Sequence, residues 1–244
     1  MRTWFFRIFL TGILLLLIFG LWFYVTLPDV SDLVKNNPGT TALIEQRQEE
    51  AQVTGKKYRV RKIWVSFSKI PDMLKKTVRI SEDANFYFHE GIDLDELEES
   101  IKRNWEEGKI VRGASTITQQ LAKNLYLSTD RSFLRKLREY FIAGRLEQKL
   151  SKNRIFTIYL NVIEFGPGIF GVEAAAQFYF GKSVSALTLS EQIRLTAVIP
   201  RPLTSSPTSD SRWLKWRCCW ISKKLRLYKY IDDPTLDLLL AEFC

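Results

Sequence analysis

The sequence predicts a mainly α-helical protein preceded by one transmembrane helix. Residues 8–27 (IFLTGILLLLIFGLWFYVTL) carry no ionisable side chain except that of Tyr24, and an apolar run of this length fits one bilayer crossing. Beyond residue 70, helix-capping patterns and helical periodicity recur, without an internal repeat or a Gly/Ser linker. Only residues 58–67 (YRVRKIWVSF) have the aromatic and β-branched composition of a strand.

The apolar run has two interpretations, a retained anchor and a cleaved signal peptide. It is longer than the roughly 7–15 apolar residues of a signal peptide, and it ends in VTLP, which offers no small-residue cleavage site. We therefore favour an anchor. Because Arg2 and Arg7 precede the run while Asp29 and Asp32 follow it, the positive-inside rule places residues 1–7 in the cytoplasm and the remainder outside it.

The elements after the anchor follow from local composition. Residues 28–57 predict a stalk, because turn residues surround a polar, helix-like run at residues 42–52. Residues 58–244 predict one domain that starts with the strand and continues with helices. The predicted helices cover residues 71–80, 93–105, 116–127, 132–150, 152–161, 171–179 and 190–199, with cap patterns at Asp93/Glu96 and Thr188/Glu191.

Charge and composition limit the chemistry. The chain has 36 Lys and Arg against 27 Asp and Glu, a net charge of +9, which indicates an anionic partner such as nucleic acid, lipid or a phosphorylated substrate. One histidine and three cysteines exclude a His-rich metal site, a His-based triad and a disulfide framework. At most one disulfide can form within the chain, and adjacent Cys218 and Cys219 are expected to be ordinary packed or interfacial thiols.

The first candidate for chemistry is EDANFYFHEG at residues 82–91. Two adjacent carboxylates, Glu82 and Asp83, precede three aromatics and the single histidine, His89. A glutamate in such an apolar setting can accept a proton near neutral pH. The alternative from these residues alone is a helix end followed by an aromatic core plug, with His89 as a buried, hydrogen-bonded imidazole.

The second candidate is GASTITQQLAKN at residues 113–124. On a helix, Thr116, Gln120 and Lys123 share one face, and that face suits oxyanions or sugar hydroxyls. A plain solvated face is the alternative. Ser115 is disfavoured as a nucleophile, because no Ser-His-Asp partner base is available.

The third candidate is a cationic stripe at Arg131, Arg135 and Arg138, with Lys136 and Glu139 beside it. Converging guanidinium groups suit a diphosphate, since each can donate two hydrogen bonds to phosphate oxygens. The alternative is a solvated face on which Glu139 pairs with Arg135, one helical turn away.

Three further patterns give weaker evidence for a function. GPGIFG at residues 166–171 matches a dinucleotide fingerprint, but the preceding residues predict a helix rather than a strand, so we reject that interpretation. Ser66-x-x-Lys69 has no K-T-G or S-D-N partner and is attributed to chance. Residues 212–230 are basic and aromatic, which fits either anionic headgroups or packing of a C-terminal helix on the core.

Taken in order, these segments resemble the peptidoglycan glycosyltransferases, glycosyltransferase family 51, and within them the monofunctional biosynthetic peptidoglycan transglycosylases. The resemblance runs from about residue 40 to residue 207 and covers all five family motifs. They are EDANFYFHEG from Glu82, GASTITQQLAKN from Gly113, RKLRE from Arg135, KNRIFTIYLN from Lys152 and GPGIFGVEAAAQFYFGK from Gly166. The resemblance implies a lysozyme-like, mostly helical fold with a smaller jaw against the membrane.

The same resemblance assigns roles to individual residues. It implies that Glu82 is the catalytic general base and that Glu139 is a second important carboxylate, which orients the donor diphosphate or a metal bound to it. It also implies substrate-binding roles, which fall on Asp83, Gln120, Lys123, Arg131 and Arg138.

The implied reaction polymerises lipid II into glycan strands, with inversion at a polyprenyl-diphosphate donor. Diphosphate is a good leaving group that needs countercharge, while the acceptor hydroxyl needs a base. A hydrolase of the same glycan needs a protonated carboxylic acid instead, with little use for a cationic stripe. We keep two alternatives, a lytic lysozyme-like enzyme and an inactive membrane scaffold.

The expected partners and location follow from the same resemblance. They are lipid II, the growing lipid-linked glycan, the inner membrane, and cell-wall synthesis or division proteins, without nucleic acid. A divalent cation, Mg²⁺ or Mn²⁺, is expected at the donor diphosphate, and no organic cofactor is expected. The catalytic domain is expected on the periplasmic or extracytoplasmic side.

Overall fold

The computed structural model describes residues 2–108, 115–130 and 132–244. The described helices are α1 (Arg2–Val25), α2 (Ala42–Val53), α3 (Asp72–Glu82), α4 (Leu94–Glu106), α5 (Ile117–Tyr126), α6 (Phe133–Lys149), α7 (Lys152–Val162), α8 (Val172–Phe180), α9 (Leu189–Ala197), α10 (Arg212–Leu227) and α11 (Asp233–Phe243). The strands are β1 (Arg61–Lys62), β2 (Glu164–Gly166) and β3 (Ile169–Phe170). The mainly α-helical prediction is confirmed.

Helix α5 lies at the centre of the domain and packs on α2, α6 and α7. Around it, α3 packs on α9, and α10 packs on α3, α9 and α11. Leu121 of α5, Leu74 of α3 and Phe156 of α7 are almost completely buried, and each such side chain contributes about 1.5–3 kcal/mol through burial. The core therefore fixes the relative positions of α3, α5 and α6, which carry most of the candidate site.

Side-chain caps set the helix starts that the sequence predicts. Thr116 and Gln119 form a capping box at α5, and Thr188 and Glu191 form one at α9. Asp93 accepts a hydrogen bond from the Glu96 amide at the start of α4. These caps satisfy amides that have no partner within the helix.

The small sheet has the order β1-β3-β2, with β1 parallel and β2 antiparallel to β3. The strand predicted at residues 58–67 is confirmed only at Arg61–Lys62. At Val65, the Asn161 side chain makes the two backbone hydrogen bonds that a neighbouring strand would make. It accepts from the Val65 amide at 2.8 Å and donates to the Val65 carbonyl at 3.0 Å.

The loop at residues 166–171, for which we rejected a dinucleotide site, is closely packed against the end of α7. It follows helix α7 and forms the β2–β3 turn before α8. Gly171 has a φ of 83°, and an added Cβ would lie 2.6 Å from the Asn161 carbonyl oxygen. The loop glycine therefore serves close packing against α7.

Residues 28–57 do not form the stalk that the sequence predicts. Val30, Leu33, Leu43 and Ile44 are buried, and α2 packs on α5. The polar composition misleads because Arg47, a surface-type residue of α2, pairs with the buried Glu164 of β2 at 3.1 Å. This segment therefore packs as part of the domain that we predicted to begin at residue 58.

Helix α1 is the one described helix that is long and apolar enough to cross a membrane. Its candidate span, Trp4–Val25, has a mean hydropathy of 2.5, and 6% of its most apolar window is buried inside the protein. The span overlaps most of the predicted anchor at residues 8–27.

The cysteine prediction is half right. Cys218 is a buried free thiol, as expected, but Cys219 forms a disulfide with Cys244. Successive residues of a helix point about 100° apart. Cys218 therefore faces the core, while Cys219 faces the C-terminus of α11.

Candidate active site

Glu82 is the last residue of α3, and its side chain is 9% exposed. Its Oε1 accepts a hydrogen bond from the Ser81 hydroxyl at 3.1 Å, and its Oε2 accepts one from Gln120 Nε2 at 3.2 Å. The carboxylate is thus held by donors on α3 and α5. A fixed carboxylate with some solvent access has the geometry of a general base.

Arg217 of α10 also contacts Glu82, and the motif reasoning missed it. Its Nη2 lies 3.4 Å from Glu82 Oε1 and 3.0 Å from the Ser81 hydroxyl. Burial lowers the pKa of Arg217, and the Glu82 carboxylate opposes that shift. The sequence signal was the basic character of residues 212–230, for which we had left packing or membrane contact open. The structure shows that α10 packs on α3 and α9.

Asp83 is engaged within the protein on both oxygens. Its Oδ2 accepts a hydrogen bond from the Ile117 amide at 2.9 Å, at the start of α5. His89 Nε2 lies 3.0 Å from both carboxylate oxygens, and His89 Nδ1 accepts from the Gly91 amide. This network assigns the proton to Nε2. Asp83 therefore aligns α5 with α3, and His89 is the hydrogen-bonded imidazole of the alternative interpretation.

Gln120 connects Glu82 to the core. Its Nε2 donates to Glu82, while its Oε1 accepts from the hydroxyl of fully buried Tyr159 at 2.9 Å. Burial raises the pKa of Tyr159 well above its ordinary value, and Glu82 and Asp83 add to the shift. The phenol is therefore a neutral donor that fixes the orientation of the amide.

Lys123 lies on the same face of α5, one turn after Gln120. Its ammonium makes no hydrogen bond or ion pair with the residues that the structure describes. Burial lowers the pKa of Lys123, Glu139 opposes this shift, and Arg135, Lys136 and Arg47 add to it. A partly buried cation without a direct partner is suited to an anionic ligand.

Glu139 of α6 is 3% exposed and pairs with two cations of its own helix. Arg135 Nη1 donates to Glu139 Oε2 at 2.7 Å, and the Lys136 ammonium donates to Glu139 Oε1. The pairing with Arg135 is the alternative that the spacing left open. Because α5 packs on α6, α5 bridges the Glu82 region and the Lys123–Glu139 region.

The predicted arginine stripe does not converge on one point among the residues described. Arg135 is held by Glu139, whereas Arg138 donates to the Thr26 hydroxyl at 2.9 Å, at the end of α1. Arg131 and the Gly113–Ala114 part of the second motif lie outside the described residues. Thr116, expected on the binding face, is instead a buried cap that donates to the Gly91 carbonyl.

The described residues do not fit a metal ion held by the protein. Both Glu139 oxygens are taken by Arg135 and Lys136. Asp83, His89 and Asp93 lie close enough together to share an ion. However, Asp83 and His89 bind each other, and Asp93 accepts from Asn85 and from the amide of Glu96.

The family model and the curated relatives assign this chain to the same family. Residues 48–226 match the transglycosylase family model. The biosynthetic peptidoglycan transglycosylase of Herminiimonas arsenicoxydans is 43% identical over 83% of this chain and 86% of its own length. Those of Methylobacillus flagellatus and Nitrosospira multiformis are 39% and 38% identical, over 94% and 93% of this chain and 98% and 94% of their own lengths. This chain therefore belongs to the transglycosylase family, among the biosynthetic peptidoglycan transglycosylases.

Proposed function

We propose that this enzyme polymerises lipid II into glycan strands, with Glu82 as general base. The observation that carries the proposal is the position of α5. Its Gln120 holds the Glu82 carboxylate, and one turn later its Lys123 offers, beside Glu139, a cation that has no direct partner among the described residues. One helix thus bridges a base and an anion site.

The reaction assigns a distinct task to each end of this helix. The 4-hydroxyl of the acceptor sugar attacks the anomeric carbon of the donor, its proton passes to Glu82, and the bond to the lipid diphosphate breaks. Proton removal by a fixed carboxylate contributes about 10²–10⁴-fold to such a rate. The negative charge grows on the departing diphosphate, where Lys123 stabilises it.

The remaining substrate contacts are proposed on the same basis. Gln120 and Lys123 face the substrate directly, and Asp83 acts by aligning α5. Arg131 is proposed as a diphosphate ligand from its motif alone. Because both oxygens of Glu139 are paired, we propose that Glu139 orients Arg135 and Lys136 toward the donor. The expected Mg²⁺ or Mn²⁺ would then have to come with the diphosphate.

We propose that α1 anchors the chain in the inner membrane, with the catalytic domain outside the cytoplasm. The Cys219–Cys244 disulfide supports this orientation, since such bonds persist in oxidising compartments. Helix α4 supports a membrane-facing jaw, because its Leu94, Ile101 and Trp105 are 70%, 60% and 87% exposed. Contacts with cell-wall synthesis or division proteins remain a prediction.

Polymerisation of lipid II by purified full-length protein tests the proposal. Glu82→Gln is expected to abolish polymer formation while the protein stays folded, because the amide keeps the shape but cannot accept the proton. Glu49→Gln, at an exposed position on α2, is the matched control and should retain full activity. Full activity of Glu82→Gln would refute the assignment of the base.

The same assay separates the two alternatives. A lytic enzyme would shorten finished glycan strands and leave lipid II intact. An inactive scaffold would leave both unchanged, even after long incubation with divalent metal and detergent. The contact between Arg217 and Glu82 favours the transferase, because a lytic enzyme requires a protonated carboxylic acid at this position.

A further inference from the structure

The last turn of α1 is fixed to one face of α6. Phe23 is buried, and its ring centroid lies 5.3 Å from that of Phe141 on α6. The guanidinium of Arg138 lies 5.5 Å from the ring centroid of Trp22 and 5.7 Å from that of Phe23, and it also donates to the Thr26 hydroxyl at 2.9 Å. The end of α1 is therefore held on α6 by ring packing, cation–π contacts and a hydrogen bond.

Arg145, two turns further along α6, binds the backbone where α1 ends. Its Nη2 donates to the Tyr24 carbonyl at 3.1 Å, and its Nη1 donates to the carbonyls of Leu27 and Pro28 at 3.0 and 3.1 Å. The last carbonyls of a helix have no partner within the helix, and a cation there is favoured by the helix dipole. Arg145 thus caps the anchor helix from another part of the chain.

The segment after the anchor is held in the same way. Arg154 of α7 donates to the carbonyls of Leu33 and Asn36 at 2.8 and 2.7 Å. The ammonium of Lys62 donates to the carbonyls of Pro38 and Gly39. Basic side chains from three elements therefore bind the backbone between residues 24 and 39, which leaves little slack between anchor and domain.

Helix α6 links this contact to the candidate active site. Arg138, Phe141 and Arg145 fall at positions i, i+3 and i+7, on one face. Glu139 lies on a different face, buried beside the cations that surround Lys123. A displacement of α6 relative to the anchor would move the anion site by the same amount.

We propose that Arg138 and Arg145 are positioning residues that hold the active site at a fixed height above the bilayer. The inference rests on the proposed function, in which α1 spans the membrane and the donor diphosphate lies at its surface. With the end of α1 bound to α6, the catalytic domain keeps one height and one tilt relative to the bilayer, so Lys123 and Glu139 lie at the level of a membrane-held diphosphate. A loose tether would spread the site over many positions and lower its effective concentration at the donor.

Arg145→Met in full-length protein in proteoliposomes tests the proposal. It keeps the aliphatic stem and removes the donors, and Arg145 is not among the proposed substrate ligands. We expect the apparent KM for bilayer-embedded, long-chain lipid II to rise roughly tenfold. The kcat should be retained, and turnover of a short-chain lipid II analogue supplied from water should be unchanged.

Two further variants keep the test decisive. Arg226→Met removes a half-exposed arginine of α10 whose guanidinium pairs, within the described part of the chain, with Asp233 of α11, and it should match the wild type with both substrates. Phe141→Ala, at a half-exposed position, should raise the same KM by a smaller factor and serves if Arg145→Met fails to fold.

The possible results separate the two proposals. An equal loss with both substrates, or no loss with either, would overturn the positioning role while leaving the proposed function standing. A wild-type protein that consumes neither substrate would overturn the proposed function, and the positioning role with it.

Discussion

Replacing Cys244 with serine removes the disulfide that ties the last residue of the chain to α10. The partner Cys219 lies two residues after Arg217, which contacts Glu82. Helix α11 also buries Leu239 and Phe243, so apolar contacts retain it when the bond is absent. We therefore expect Cys244→Ser to lower stability without abolishing the fold or the activity at low temperature.

The size of the effect follows from the loop that the bond closes. The two cysteines are separated by 25 residues, and closing such a loop in the unfolded chain is worth about 3.5 kcal/mol in the chain-entropy model. A chain of this size loses about 2–4 °C of melting temperature per kcal/mol, so the expected fall is about 7–14 °C.

Thermal unfolding in detergent, monitored by circular dichroism, measures the change. Cys219→Ser and the double variant are the matched controls, and all three should melt at the same temperature, because each removes the same bond. Burial raises the pKa of Cys218 to about 12, so a maleimide should label only Cys219 in folded Cys244→Ser.

Two results would refute this reasoning. An unchanged melting temperature in Cys244→Ser would mean that the bond contributes nothing to stability. A double variant that melts well below both single variants would mean that each cysteine acts through contacts of its own.

Two remaining predictions concern the candidate site. Burial lowers the pKa of Lys123 from its ordinary value of 10.5. As the pH rises, Lys123 should therefore lose its charge before pH 10.5 is reached, and kcat/KM for lipid II should fall as it does so. Lys123→Arg should move the fall to higher pH, since arginine stays charged; an identical pH profile would exclude Lys123 from donor binding. Arg217→Met should lower kcat about tenfold or more by leaving Glu82 without its countercharge. Arg217→Lys should recover part of the lost kcat, and unchanged kcat in the methionine variant would show that Arg217 does not support Glu82 in its proposed role.

Much of the helical fold could be predicted because its signals are local. The caps at Asp93, Thr116 and Thr188 act over three residues, and the structure starts α4, α5 and α9 beside them. The length and apolarity of α1 are likewise local properties. The strand predicted at residues 58–67 is confirmed only at Arg61–Lys62 for the opposite reason, because its extent depends on distant partners: β3 pairs with Arg61–Lys62, and the Asn161 side chain bonds Val65.

The candidate site likewise combines residues that local motifs identify with contacts that only the fold creates. Sequence motifs identify Glu82, Gln120, Lys123 and Glu139, since the family's chemistry requires those residue types in that order. The contact between Arg217 and Glu82 crosses 135 residues, so the basic character of residues 212–230 does not reveal which carboxylate Arg217 contacts.

The sequence by itself determined most of the helices, the apolar character of α1, the family and the residue types of the site, because these depend on neighbours within one or two turns or on motif order. Only the tertiary structure decided which groups the basic side chains behind the +9 net charge contact. It places Arg217 on Glu82, leaves Lys123 without a direct partner among the described residues, and sets Arg138 and Arg145 on the end of α1. The reason is physical. The partner of a long cationic side chain is chosen by which carboxylates and carbonyls the packed helices bring within reach, and that choice is made across the fold.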